Sequence, residues 1–180
     1  MQVNGPPRTR RIGGPRSRAR ATMWAVTSPT GIHAVKARST FRMQCSVSAD
    51  IQAPPEKIWA LLTRADDMVR WNSTLTSIEG NIELGGTVRM KVPEAPDRTF
   101  TVKVTKFVPN TEMVWRDGNP VMFLGVRTYS LTPNQVGTGT RFQMTEEFSG
   151  IMLPMIAGRL PDFGPIFERY AADLKAEAER

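Results

Sequence analysis

The sequence predicts an α+β domain in which a seven-stranded antiparallel sheet wraps round one long C-terminal helix. Between Phe41 and Gly150, apolar and polar residues alternate in short runs separated by turn residues, the period-two mark of half-buried strands. One long stretch with helical period follows, residues 162–179, where Phe163, Ile166, Phe167, Tyr170 and Leu174 recur at spacings of three and four. Six of the strands succeed one another through short turns, which makes an antiparallel meander that the first strand completes. A sheet covered by a single long helix tends to leave a cavity beneath it, so the pattern describes a ligand container.

The first strand spans Phe41 to Ile51, with Phe41, Met43, Cys45, Val47 and Ala49 on one face. Ala53-Pro54-Pro55-Glu56 stops it and starts a helix, because proline is well accommodated in a first helical turn. Ile58, Trp59, Leu61 and Leu62 give that helix a buried face, and a second short helix, Arg64 to Arg70, is anchored by Met68 and Trp71. Leu75 to Glu83 alternates loosely, Gly85-Gly86 turns, and Val88, Met90 and Val92 form a clean strand. Pro93 to Asp97 is read as a hairpin connection leading to Phe100, Val102 and Val104. Pro109-Asn110 turns into Glu112 to Asp117, carrying Met113 and Trp115 on one face. Gly118-Asn119-Pro120 turns into Val121 to Thr132, carrying Phe123, Arg127, Tyr129 and Leu131. Asn134 to Gly139 closes the last hairpin, and Thr140, Phe142, Met144, Glu146 and Phe148 share a face of the final strand.

With 180 residues, 40% of them hydrophobic, the chain suits one domain with a real core. Its formal charge of +7 is unevenly spread: nine of the 24 Lys and Arg residues precede Asp50, the first acid. From Asp50 onward 15 basic residues face 17 acidic ones, which argues against a nucleic-acid surface on the folded domain. Cys45 is the single cysteine and His33 the single histidine, read as part of the tail. Internal disulfides, thiolate clusters, Ser-His-Asp and Cys-His chemistry and His-based metal sites are thereby set aside for the folded part. No apolar run approaches the roughly 18 to 20 residues of a membrane span, and a cytoplasmic protein is expected. Residues 1–40 are rich in Arg, Gly, Pro, Ser and Thr and show no sustained period, so they read as a disordered basic tail ahead of a single domain at 41–180. Three accounts fit it: upstream sequence before a natural start at Met43, an Arg- and Ser-rich import leader, or a polyanion-binding arm. A chain starting at Met43 is expected to hold the whole domain.

The order of elements (strand, two short helices, six-stranded meander, long terminal helix) resembles the helix-grip fold of the START-like (SRPBCC) superfamily, which includes polyketide cyclases and plant pathogenesis-related lipid carriers. Residues 53–62 are similar to its opening motif and Asp67-Met68-Val69-Arg70-Trp71-Asn72 to its tryptophan-ended second helix. Residues 137–150, with Gly139-Thr140-Arg141 and Glu146-Glu147-Phe148-Ser149-Gly150, resemble the last strand of the polyketide cyclase/dehydrase branch. Leu160-Pro161-Asp162-Phe163 fits the same branch. The likeness covers residues 43–179. It implies a fold that hosts carriers, cyclases, chaperone activators and sensors, so function does not transfer with it.

Alternation turns Arg127 and Glu146 inward on strands joined by one hairpin, so they are expected side by side. Three readings stand: a buried ion pair that fixes strand register, a polar anchor for a ligand in an apolar pocket, or an acid–base pair of a cyclase or dehydratase. Tyr129 shares their face and either packs or adds a hydrogen bond. The expected lining comprises Met90, Phe100, Val102, Met113 and Trp115 from the middle strands and Phe142 and Met144 from the last. Phe163, Phe167 and Tyr170 join them from the helix, and Met152 and Met155 from an apolar lid over Ile151 to Ile156. Trp59 and Trp71 read as core, whereas Trp115 fits core or lining. The function expected first is binding or transport of a hydrophobic small molecule (lipid, polyketide or aromatic metabolite) without a cofactor. A cyclase or dehydratase acting through Glu146, Arg127 and Tyr129, or a protein–protein module of the heat-shock ATPase activator kind, are the alternatives.

Overall fold

The computed structural model describes residues 24–25, 31–134, 137 and 139–180. Strand β1 (Trp24–Ala25), β2 (His33–Ser39) and β3 (Arg42–Ile51) lead into helices α1 (Pro55–Thr63) and α2 (Ala65–Trp71). The meander follows as β4 (Ser77–Gly80), β5 (Thr87–Val92), β6 (Ala95–Val108), β7 (Glu112–Asn119), β8 (Phe123–Pro133) and β9 (Thr140–Ser149). A one-turn helix α3 (Leu153–Ile156), a 3₁₀ turn (Ala157–Arg159) and the long helix α4 (Phe163–Ala178) close the chain. The sheet is antiparallel throughout in the order β1-β2-β3-β9-β8-β7-β6-β5-β4, so β3 links to the far end of the meander through β9. This is the helix-grip arrangement, and the seven expected strands are β3 to β9.

Two strands were not expected. Residues 33–39, read as part of a disordered tail, pair with β3 from His33↔Ser48 to Ser39↔Arg42, and His33 therefore belongs to the sheet. Ile32 and Ala34 are buried, and Glu168 on α4 accepts a hydrogen bond from the Ala34 N–H at 3.1 Å. Lys36 and Arg38 break the apolar pattern of this short strand, so burial of its alternate positions is decided by β3 and α4. Residues 1–23 and 26–30 of the expected tail lie outside the described residues. A smaller correction concerns the connection expected at Pro93 to Asp97: the turn is only Pro93-Glu94, and β6 begins at Ala95.

Local chemistry sets the helix ends. Pro55 opens α1. At the end of α2, Asn72 is fully buried and its Oδ1 accepts from Thr74 N–H at 3.0 Å and Thr74 Oγ1 at 2.7 Å, an Asx turn that redirects the chain into β4. Asp162 caps α4, accepting from Gly164 N–H at 3.0 Å. Helix α4 buries Phe167, Tyr170, Ala171, Leu174 and Ala178 and packs on β3 and β2 and against α1 and α2. Burying a large side chain of this kind contributes about 1.5–3 kcal/mol. The C-terminal half of α4 is also tied down by polar contacts: Asp173 to Ser73 N–H (2.8 Å), Glu177 to Arg70 (2.7 Å), Glu179 to Gln52 N–H (2.7 Å) and Lys175 to the Asp50 carbonyl (2.6 Å).

Removing residues 1–40 is expected to lower the unfolding free energy by about 2 kcal/mol or more, because it strips Ile32 and Ala34 from the core and bares the edge of β3. Urea denaturation of the full and shortened chains measures this; coincident midpoints would mean that β2 adds nothing to the fold.

Candidate functional site

Cross-strand pairing assembles the inner face in rows. One row runs Lys36, Cys45, Glu146, Arg127, Trp115, each residue the register partner of the next on β2, β3, β9, β8 and β7. The row beside it, toward the centre of the sheet, is Ala34, Val47, Met144, Tyr129, Met113, all buried. The row on the other side, nearer the molecule's end, is Arg38, Met43, Phe148, Gly125, Asp117. A band of polar and charged groups therefore crosses an otherwise apolar face beneath the first turns of α4.

Arg127 Nε donates to Glu146 Oε2 in a half-buried ion pair, and the guanidinium lies over the Phe167 ring, 5.4 Å from its centroid. Burial works against the Arg127 charge, but Glu146, with help from the Tyr129 hydroxyl, outweighs it and raises the guanidinium pKa above its already high ordinary value. Tyr129 is pushed up by burial, with Arg127 opposing. Tyr170 is pushed up well beyond the ordinary phenol range by burial and then by its neighbour Tyr129. The Trp115 and Trp71 indole N–H groups are buried without a hydrogen-bond partner among the described residues; the Trp71 ring packs edge-on against Tyr170 at 5.8 Å, and the Tyr170 hydroxyl interacts with that of Tyr129. Such orphaned donors are costly inside a protein and mark a place where an acceptor is missing.

The residues expected to line a cavity fall into three groups. Met113, Trp115, Tyr129, Phe142, Met144, Phe167 and Tyr170 are buried and pack on one another, with Trp115–Tyr129 at 5.2 Å and Phe142–Tyr170 at 6.2 Å between ring centroids. Met90 is buried, and Phe100 and Val102 are half-buried at its edge. Met155 is corrected outright: it is 77% exposed and faces away from the interior, because Leu153 takes the inward position of α3. Met152 is half-buried beside it. Trp59 and Trp71 are buried in the core.

One open groove beside this cluster was not expected. The groove, of about 550 Å³, runs between β2, β3 and the start of α4, lined by Lys36, Arg38, Met43, Cys45, Asp162 and Phe163 among others. Lys36 pairs with Asp162 across it, and this pairing together with the Gly164 N–H holds the Asp162 carboxyl below its ordinary pKa. Burial pushes the Cys45 thiol up to about 11. Cys45 is the register partner of Glu146, so the groove ends one strand away from the ion pair. Phe163 bridges them, touching Phe148 at 5.1 Å and Phe167 at 5.9 Å. Signals for this groove were present at Met43, Cys45 and Phe163; the wall from β2 was invisible without that strand. Among the described residues no three His, Cys, Asp or Glu side chains converge as a metal site, and no helix is long and apolar enough to cross a membrane.

The fold is a helix grip with a polar band on the inner face of its sheet. Residues 42–179 match the model of the polyketide cyclase / dehydrase and lipid transport family, and the chain belongs to that family. Strands β1 and β2 precede the matched segment. The fold is similar to a START superfamily protein from Mycobacterium smegmatis (17% identity, 76% of this chain and 97% of that one, TM-score 0.55). It is also similar to truncated norcoclaurine synthase from Thalictrum flavum (14% identity, 79% and 98%, TM-score 0.59) and to a Rhodobacter sphaeroides protein (19% identity, 87% and 97%, TM-score 0.58). At such identities the likeness concerns the fold alone. No curated protein sequence matches the chain.

Arg127→Met and Glu146→Leu, made singly, are each expected to destabilise by about 3–5 kcal/mol by stranding a buried charge, and the double variant to recover much of the loss. Denaturant melts read the cycle; additive effects would mean that the two side chains are not coupled.

Tyr129 and Tyr170 are the chain's two tyrosines, so its tyrosinate absorbance reports on them alone. Both folded pKa values lie above the ordinary value of about 10, so their contribution to stability is complete below pH ~10 and is lost as pH rises through the folded values. The expected trace stays flat through pH ~10 and then rises together with alkaline unfolding. Early tyrosinate absorbance in a folded chain would place a phenol in solvent.

Proposed function

We propose that this chain binds and carries a hydrophobic small molecule bearing one polar acceptor, held beneath the N-terminal turns of α4. The observation that carries this reading is the polar band: a charge pair beside an orphaned donor, the Trp115 N–H, within an aromatic interior. A ligand carbonyl or carboxylate would supply the missing acceptor, while its apolar body would take the place of side-chain contacts among Phe163, Phe167 and Phe148. Family membership supports a hydrophobic ligand. Binding on this reading displaces Phe163, at the start of α4, whose ring touches Phe148 and Phe167. Lipid, polyketide and aromatic metabolite all meet the description. The reading asks for no cofactor, because the donors and the carboxylate of the band are the chain's own.

Native mass spectrometry of the full chain with laurate, an apolar chain ending in one carboxylate, tests this. A one-to-one adduct is expected, and the Arg127→Met/Glu146→Leu double variant should bind about tenfold or more weakly, the cost of about 1–3 kcal/mol for an unsatisfied buried polar group. Absence of saturable laurate binding, together with absence of any adduct in protein purified from its own host, would sink the proposal.

A further inference from the structure

Five large apolar side chains, Phe41, Val121, Met122, Ile151 and Met155, lie at one end of the molecule, each between 45% and 77% exposed. They come from the β2–β3 turn, the β7–β8 turn and the chain after β9. Backbone hydrogen bonds join these segments side by side: Gly150 N–H to the Phe41 carbonyl (3.3 Å), Ile151 N–H to the Val121 carbonyl (3.1 Å) and Met152 N–H to the Met122 carbonyl (3.0 Å). The chain after β9 is therefore the middle of the surface, with Phe41 on one flank and Val121 and Met122 on the other. Gly150 permits the close approach: its φ is +127°, and a Cβ there would sit 2.4 Å from the Met122 carbonyl oxygen. Leu153, Ala157 and Phe148 pack beneath as a small core, so the surface has a fixed base. An exposed apolar surface of this kind marks a contact with another protein or with a membrane.

Charge on the two flanks decides between them. Arg38 on β2 and Asp117 on β7 are the outer members of the row Arg38, Met43, Phe148, Gly125, Asp117. Four strand spacings of about 4.8 Å separate them, roughly 19 Å in all. Arg38 stands beside the Phe41 flank and Asp117 beside the Val121 flank. Both are exposed, and neither makes an ion pair among the described residues, whereas Arg42 and Glu147 nearby neutralise each other. The apolar surface thus has an unpaired cation on one side and an unpaired anion on the other. Rotation by 180° about an axis through its middle exchanges the two flanks. A second copy placed by that rotation brings Asp117 of each copy over Arg38 of the other and lays Phe41 against Val121 and Met122.

We infer that this end of the molecule is a homodimer interface, with a two-fold axis passing near Ile151. A two-fold contact uses the same surface on both copies and so requires a surface complementary to itself, which an apolar centre between opposite charges supplies. Arg159, also exposed here, leaves one unmatched cation per copy at the rim, where salt screens it. A bilayer fits worse, because Asp117 would meet lipid phosphate, like charge against like.

Analytical ultracentrifugation of the full chain over a dilution series tests this. A reversible monomer–dimer equilibrium is expected, and Ile151→Asp/Met155→Asp should raise its dissociation constant about tenfold or more. Arg38→Asp and Asp117→Arg each set like charges face to face twice, and each is expected to weaken the dimer by about tenfold. An equimolar mixture of those two variants should regain wild-type affinity as a heterodimer, because both contacts then pair opposite charges again. That rescue requires the two positions to face each other across a two-fold axis. Circular dichroism should show every variant folded, since all four positions are exposed and hold no ion pair among the described residues. A wild type that stays monomeric throughout the series overturns the inference, whether or not it sediments with lipid vesicles. So does a dimer that survives Ile151→Asp/Met155→Asp, and so do charge variants that dimerise as tightly as the wild type or fail to complement each other. No ligand enters the measurement, so its outcome is independent of the interior-binding reading.

Discussion

One helix has to cover the apolar face of a long, open antiparallel sheet, and the rest of the molecule is arranged round the uneven way α4 does so. Its C-terminal half is fastened by Asp173, Lys175, Glu177 and Glu179 to the β3–α1 connection, α2 and the turn after it. Its N-terminal half leans on aromatic contacts, on Asp162 with Lys36, on Glu168 with the Ala34 N–H and on Arg169 with Glu94. Exposed ion pairs of the Lys36–Asp162 kind contribute little, about 0–1 kcal/mol. The groove and the polar band both lie at this end of the helix.

The Arg127–Glu146 pair is a poor device for stability alone. Replacing a buried pair by apolar residues of similar volume is often neutral or favourable, whereas removing one partner costs several kcal/mol. What the pair supplies is polarity at a chosen depth: a fixed carboxylate and a guanidinium, the latter two residues from Tyr129, beside the Trp115 N–H that finds no acceptor. A structural pair accounts for strand register between β8 and β9, but not for the unpartnered Trp115 indole N–H beside it.

Interior band and exposed apolar end belong to neighbouring parts of the structure. Phe148 and Phe163 separate them, each within ring-contact distance of the other, and both touch the small core under the exposed surface.

Much of the fold was legible because period two sets which face a residue takes, and short turns set which strands are neighbours. Arg127 and Glu146 could be paired from sequence since both lie on the inward parity of strands joined by the hairpin after Pro133, and a one-residue slip would turn every apolar partner outward. Helix α4 was legible from its apolar spacing, and the structure adds its Asp162 cap. Strand β2 was not, because Lys36 and Arg38 interrupt its pattern and its burial comes from β3 and Glu168, far along the chain. The same holds for the aromatic interior, which depends on how rings from β7, β8, β9 and α4 interlock, and for the outward turn of Met155. No local pattern records that Phe41, Val121 and Ile151 meet; long-range backbone contacts bring them together, and only the folded chain contains those contacts. Sequence by itself determined the face of each strand residue and the order of elements, since both follow from local periodicity and turn chemistry. Tertiary structure decided what fills the space between them and what is left on the surface, since both depend on contacts between distant segments.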